Sequence, residues 1–447
     1  MIRSVRPAAV FLLVLLPCVA PDVARAQSSL QFPLQFDFIN PGAKSKAMGG
    51  AFAGVADDAT ATFANPAGLM QVLTPEVSLE GRYSRFESPF LERGRLSGSV
   101  FDQGTDTVQG PLFADATVTD KGLGFASVVY ARPLLRWRVA AYRHELVRID
   151  QSLQSNGVFQ QAAEEFTSRR EAPLEGMREV SVTSYGVSAA YGLPRRVYVG
   201  AGVAFHSFSL RSRFRRLDTV GFSGPPNPAA QERGRSTQSG DDVGVSASVG
   251  ALVELGERGR LGVTYRHGPS FRFDTLDGDD PLRESTFRIP STAAVGASFK
   301  PTPGLTLAVE VTRVQFSRLR RDFVIDQALG AGLDDSFTID NGTELHGGVE
   351  YLPLTPAQAP RLRFAPAFRA GIWFDPDHSV KFDPPRPAVT IGDRLAYERH
   401  RAALSTGKDL VHYTAGVGLS LTARLEVNAA LDASARTRIV AMSFIVR

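Results

Sequence analysis

From residue 243 to residue 255 the chain keeps a strict two-residue period. Val243, Val245, Ala247, Val249, Ala251, Val253 and Leu255 alternate with Gly244, Ser246, Ser248, Gly250 and Glu254. A strand of this kind offers one face to an apolar medium and the other to a polar or close-packed interior. Leu305, Leu307, Val309 and Val311 repeat the pattern against Thr306, Ala308, Glu310 and Thr312, and so do Phe364, Pro366, Phe368, Ala370, Ile372 and Phe374 against Arg363, Ala365, Ala367, Arg369 and Trp373. Such segments recur at 76–83, 122–130, 137–146, 180–191, 197–211, 242–255, 260–273, 289–299, 305–318, 344–352, 362–374, 412–421, 425–431 and 437–446. They number about fourteen, an even number as closed antiparallel barrels require. A soluble sandwich also alternates, so the connections decide. Those after even-numbered strands are short, as at Leu193–Arg196, Gly256–Gly259 and Thr422–Arg424. Those after odd-numbered strands are long, with the link near Asp432–Arg436 the exception. Segregation of loop length by parity is what a transmembrane barrel shows. The expectation is an all-β, transmembrane antiparallel barrel over 76–447.

The N-terminus reads as an export signal over 1–26. Arg3 and Arg6 precede an apolar run from Ala8 to Val19, and Ala24-Arg25-Ala26 supplies the small residues of a cleavage site before Gln27. The run is too short for a helix of roughly 20 residues to cross a bilayer. The lone cysteine, Cys18, falls inside it, so the exported chain carries no disulfide, thiolate metal site or cysteine nucleophile. No later run of about 18 apolar residues follows, which leaves strands as the means of spanning a membrane. Mean hydropathy is −0.08 and net charge +4 over 447 residues. That balance excludes a helical membrane protein, a disordered chain and a strongly basic nucleic-acid binder.

Residues 27–75 depart from alternation. Asn40-Pro41-Gly42 is a turn, Ala47 to Ala56 is a run of mostly small residues through Gly49, Gly50 and Phe52, and Asp57-Asp58-Ala59 leads to Asn65-Pro66-Ala67-Gly68-Leu69. So short a segment buries little core alone. Its expected place is inside the barrel, as a small helical plug in a lumen that would otherwise fill with water.

Gly49-Gly50-Ala51-Phe52, Asp57-Asp58-Ala59, Thr62 and Asn65-Pro66-Ala67-Gly68-Leu69 resemble the N-terminal hatch of FadL/TodX-type outer-membrane transporters of long-chain fatty acids and aromatic hydrocarbons. Phe368 to Asp375 and His412 to Leu419 resemble late strands of that family. The resemblance implies a fourteen-stranded monomeric barrel in a Gram-negative outer membrane. It implies passive import of an apolar ligand and sideways release through a gap in the wall. Gly49, Gly50, Phe52, Asn65, Pro66, Ala67 and Gly68 would form the hatch. A related barrel with a permanently closed plug and a structural or secretion-associated role is the alternative. The chain ends Phe444-Ile445-Val446-Arg447 where barrels of this kind end on an aromatic residue.

Hydrophobic transport calls for aromatic side chains in the lumen. Phe36, Phe38, Phe52 and Phe63 lie in or before the hatch. By alternation Arg266, Arg369 and Glu310 point inward, where an arginine meets a ligand carboxylate or braces the lumen against a glutamate; outward at mid-depth it would cost about 2–4 kcal/mol. Basic clusters at Arg211, Arg213, Arg215 and Arg216, and at Arg318, Arg320 and Arg321, are expected at the outer rim, facing lipopolysaccharide phosphates. Outer-membrane lipid and the barrel-assembly machinery are the other expected partners, with no nucleic acid, no metal and no cofactor. No nucleophile elbow, zinc-protease helix or phosphate loop is present, so no enzyme is expected.

Overall fold

The computed structural model describes residues 40–96, 110–161, 168–171, 173–220, 224–227, 234–277, 283–319, 337–353, 365–383 and 398–447. The export signal, Phe36, Phe38, Arg320 and Arg321 lie outside the described residues. Among the described residues no helix is long and apolar enough to cross a membrane.

Sixteen strand segments form one antiparallel sheet. They make fourteen staves, since two are each interrupted once. In order these are β1 Glu76–Gly94, β2 Pro111–Tyr130, β3 Trp137–Ser155, β4 Leu174–Leu193, β5 Val197–Arg216 and β6 Gly234–Leu255. Then come β7 Gly259–Arg266 with Ser270–Asp277, β8 Arg283–Arg288 with Thr292–Thr302, β9 Leu305–Val314 and β10 Gly342–Tyr351. Last are β11 Ala365–Asp375, β12 Leu410–Ser420, β13 Leu425–Ala433 and β14 Thr437–Val446. β14 pairs with β1 from Val77 opposite Val446 to Phe86 opposite Thr437, which closes the barrel. The breaks in β7 and β8 fall at Gly268-Pro269 and Pro290, where a missing N–H cannot serve the ladder.

An outward belt of exposed apolar residues encircles the staves, among them Val77, Leu79, Val187, Val203, Phe205, Val245, Val249, Val309, Ile372, Val417, Met442 and Phe444. Tyr130 and Trp137 stack at its lower edge, 5.8 Å apart, where interfacial aromatics belong.

Six staves run well beyond the alternating segments read from sequence. β1 reaches Gly94 and β3 reaches Ser155, where the alternation in the sequence had faded at Tyr83 and Leu146. The reason is an inversion of phase. In β5, Val199, Val203 and Phe205 are exposed within the belt while Gly200, Gly202 and His206 face in. Above the belt Phe208 and Leu210 are buried and Arg211 and Arg213 exposed. The inward face turns apolar where the outward face meets water instead of lipid. β9 is shorter than expected, since Phe316–Leu319 turns into a 3-10 helix.

The plug sits inside. α1 Ala43–Ala47, α2 Ala61–Ala64 and a 3-10 helix Pro66–Gln71 are almost wholly buried. Gly262 and Gly296 of the wall lie under Ala53 and Gly54, so closely that a side chain on Gly262 would strike the plug backbone and one on Gly296 would crowd it.

Candidate functional site

The plug is bonded to the wall around most of its circumference. Glutamates on the staves accept from plug amides: Glu310 from Phe52 at 2.8 Å and Ala53 at 2.6 Å, Glu76 from Ala59 at 2.7 Å, and Glu80 from Gly42. Stave hydroxyls donate to plug carbonyls: Ser127 to Ala59 at 3.0 Å, Ser188 to Thr62 at 2.8 Å, Ser298 to Gly54 at 2.9 Å and Thr414 to Ala47 at 2.9 Å. His346 Nδ1 donates to Gly49 at 2.7 Å. These bonds replace water for backbone groups that a five-residue helix leaves unpaired.

Asn65 fastens the base of the plug. Its side-chain oxygen accepts from Ala67 at 3.2 Å, and its amide donates to Ala53 at 2.9 Å and to Ala251 of β6 at 3.2 Å. Pro66 fits at the helix start because its absent N–H is one that would have no partner. Gly68 packs on Ala56, where a Cβ would collide. Phe52 is fully buried within the plug, among Met48, Val55 and Leu69.

Arg369 faces inward, as alternation requires, but Glu310 is not its partner. It bonds Glu350 at 2.7 Å and Asn428 at 2.6 Å, with Glu426 at 3.7 Å. Arg447 joins the set through Glu426 and Glu76, each at 2.9 Å. Lys44 of the plug pairs with Asp57 at 2.8 Å. Burial opposes the Asp57 charge, yet the adjacent Lys44 ammonium holds its carboxyl below the usual range.

Arg266 and Phe63 meet at a different place. The guanidinium lies 3.7 Å from the centre of the Phe63 ring and donates to the Phe63 carbonyl at 2.8 Å. His144 packs on the same ring at 4.4 Å, with no hydrogen-bond partner for its Nδ1, and Tyr142 at 5.8 Å. Nearby, His206 is held between Ser184 at 2.8 Å and Ser246 at 2.7 Å.

From this floor an apolar lining rises toward the long loops. Phe63 continues into Val118, Phe125, Leu146, Ile149, Val182 and Leu210. Phe208 stacks on Phe271 at 4.8 Å and on Phe287 at 5.4 Å. At the mouth Phe316 stacks on His378 at 4.1 Å, and Phe337 leans on Phe382 at 5.3 Å, where the loop strands Phe337–Thr338 and Lys381–Phe382 pair. Burial opposes the His378 charge, but its bond to Asp375 raises it to about 9. Phe208, Phe271, Phe287, Phe316 and Phe337 were not singled out from the sequence. For Phe208, Phe271 and Phe287 the signal is the inward phase of staves whose outward face has turned polar; Phe316 and Phe337 lie off the staves, on a 3-10 helix and a loop strand. Arg318 does not stand at the rim: its guanidinium bonds Ser291 inside the mouth. Arg211 and Arg215 are outside, paired with Asp241 at 3.4 Å and Glu175 at 3.5 Å.

The wall beside this lining is incomplete. β2 and β3 share a ladder only from Phe125 opposite His144 to Tyr130 opposite Val139. β1 stays paired with β2 up to Pro111, and β3 with β4 up to Ser155. Residues 111–124 and 145–155 therefore face one another without a ladder. Side chains cross the interval instead: Arg148 to Asp120 at 3.3 Å, and Arg143 to the Leu123 carbonyl. A second break, between β6 and β7 at 240–247, is filled by Phe271 and Phe273, which pack against Gly244 and Gly240. A groove of about 390 Å³ on the belt, lined by Phe368, Val417, Leu419 and Val427, lies on the outward face rather than in the lumen.

No family model and no curated protein matches the sequence. Solved structures do. A FadL homologue of Pseudomonas aeruginosa aligns over 92% of this chain and 99% of its own, with 14% identity and a TM-score of 0.56. The toluene transporter TodX of P. putida aligns over the same shares with 14% identity and a TM-score of 0.55. The toluene transporter TbuX of Ralstonia pickettii does so with 16% identity and a TM-score of 0.54. A fourteen-stave barrel, closed β14 to β1 around an N-terminal plug, is the fold this chain shares with the FadL- and TodX-type channels.

Proposed function

We propose that the protein is an outer-membrane channel that moves hydrophobic small molecules down their gradient. They pass from the extracellular mouth into the apolar lining and leave sideways between β2 and β3. The observation that carries this reading is the adjacency of two features: a lumen lined by Phe208, Phe271, Phe287 and Ile149, and a stretch of wall without a ladder beside it. An apolar solute gains by leaving water for such a lining and again by leaving it for lipid. The lower end of the open interval is level with Leu123, an exposed residue of the belt. Two channels of this fold, TodX and TbuX, are named as toluene transporters.

The many bonds between plug and wall favour a plug that stays seated, which also suits the alternative of a closed structural barrel. A sideways exit needs no passage through the plug, so the two features are compatible. Arg266 and Phe63 form the floor on which a ligand rests; a carboxylate would find the guanidinium there, and a neutral hydrocarbon the ring. Arg369, paired among Glu350, Asn428 and Glu426, braces the base.

Native mass spectrometry of the detergent-purified barrel, offered fatty acids, alkanes and monoaromatics, tests the reading. Retention of one apolar class by the parent, weakened by Phe271→Ala, is expected. A barrel that retains none of them would favour the structural alternative.

A further inference from the structure

The surface above the belt carries one arrangement that the transport reading leaves unexplained. At the seam where the barrel closes, Arg85 of β1 stands directly opposite Arg438 of β14. Both are exposed and both are in the outward phase. Like charges in this position repel, since directly opposed side chains have Cβ atoms about 4.5–5.5 Å apart. On the other flank of β1, Lys121 of β2 is exposed opposite Tyr83, one outward step below Arg85. Diagonal neighbours of this kind sit about 7–8 Å apart. Glu87 answers Arg85 at 3.0 Å. No side-chain hydrogen bond or ion pair links Arg438 or Lys121 to another of the described residues. Elsewhere on the outward face Arg211 pairs with Asp241 at 3.4 Å, and Arg313 donates to Thr343 at 2.6 Å.

What lies beneath decides the partner. Directly below the three cations the same staves present Tyr83, Val440, Met442, Leu79 and Phe444 to lipid. An occupant must place an anion on the cations and apolar chains on the belt. The site lies at the end of the barrel that bears the long loops, hence in the outer leaflet of the proposed location. We infer that Arg85, Arg438 and Lys121 form a phosphate-binding site for a phosphorylated glycolipid of that leaflet, with its acyl chains on the belt below. Two arginines hold phosphate oxygens through charge-assisted bonds, and the anion removes their mutual repulsion. This site rests on the outer-membrane reading but not on the transport of any ligand.

The test is binding of purified bis-phosphorylated lipid A to the full barrel in neutral detergent, read by native mass spectrometry. Arg438→Gln combined with Lys121→Gln should weaken binding at least tenfold at low salt, while dephosphorylated lipid A should not distinguish variant from parent. Phosphatidylglycerol should compete poorly. Equal binding by parent and variant would overturn the site, and equal competition by phosphatidylglycerol would overturn the glycolipid as its occupant. Heat-modifiable migration reports whether the variant has folded. If it has not, Arg438→Gln alone and a salt titration of the parent decide, since a phosphate contact must weaken as salt rises. A barrel that retains no apolar ligand yet binds lipid A would leave this inference standing and the transport reading rejected.

Discussion

At the scale of single residues, the buried charges divide into those that hold the plug and those that brace the wall. Glu310 serves two plug amides at once. Glu310→Ala should leave both without a partner, at a cost of about 1–3 kcal/mol each. Hydrogen exchange of the Phe52 and Ala53 amides should quicken while the barrel still migrates as folded. Arg369→Met should destabilise the barrel by about 3–5 kcal/mol, because Glu350 loses a buried partner, yet leave ligand retention unchanged. Arg266→Met should do the reverse, altering retention with a smaller loss of stability; denaturant titration and native mass spectrometry of the two variants separate the roles. The inward direction of Arg369 and Arg266 was legible from a two-residue period. Their partners were not, because Glu350 and Asn428 lie 19 and 59 positions from Arg369, and Phe63 lies 203 from Arg266, and they converge only on closure.

At the scale of elements, the staves were legible inside the belt and faded above it. Within the belt every outward residue must be apolar, so period two is written plainly in β6. Above it the outward face is wetted and the inward face greasy, and the sum over a window loses its contrast. The apolar lining lies where this inversion occurs, which is why Phe208 and Phe287 escaped notice. The loop that follows β11 also carries a pH signature. His378 is bonded toward Asp375 and stacked on Phe316, with its ordinary value raised to about 9. A raised value means that the bond stabilises the loop fully below the ordinary imidazole range and is lost as pH climbs through about 9. Limited proteolysis within 376–383 should therefore accelerate between pH 7 and pH 10, and His378→Gln should flatten that dependence.

At the scale of the whole molecule, alternation and loop-length parity were enough to foresee a closed barrel, and the small-residue segment at Gly49 to Gly54 was enough to foresee a plug. Neither pattern reveals where a ladder is absent, since 111–124 and 145–155 have ordinary strand composition and differ only in what they pair with. This interval is the proposed way out. Asp120 and Arg148 span it, 3.3 Å apart at their charged ends. The lone native cysteine, Cys18, falls in the expected export signal, so Asp120→Cys with Arg148→Cys would place the only thiols in the barrel. The measurement is uptake of a radiolabelled apolar compound by cells carrying this double variant, before and after a short bismaleimide joins the two thiols. Uptake should be normal before the tether and lost after it, with the barrel still folded. Uptake undiminished by a complete tether would contradict this way out.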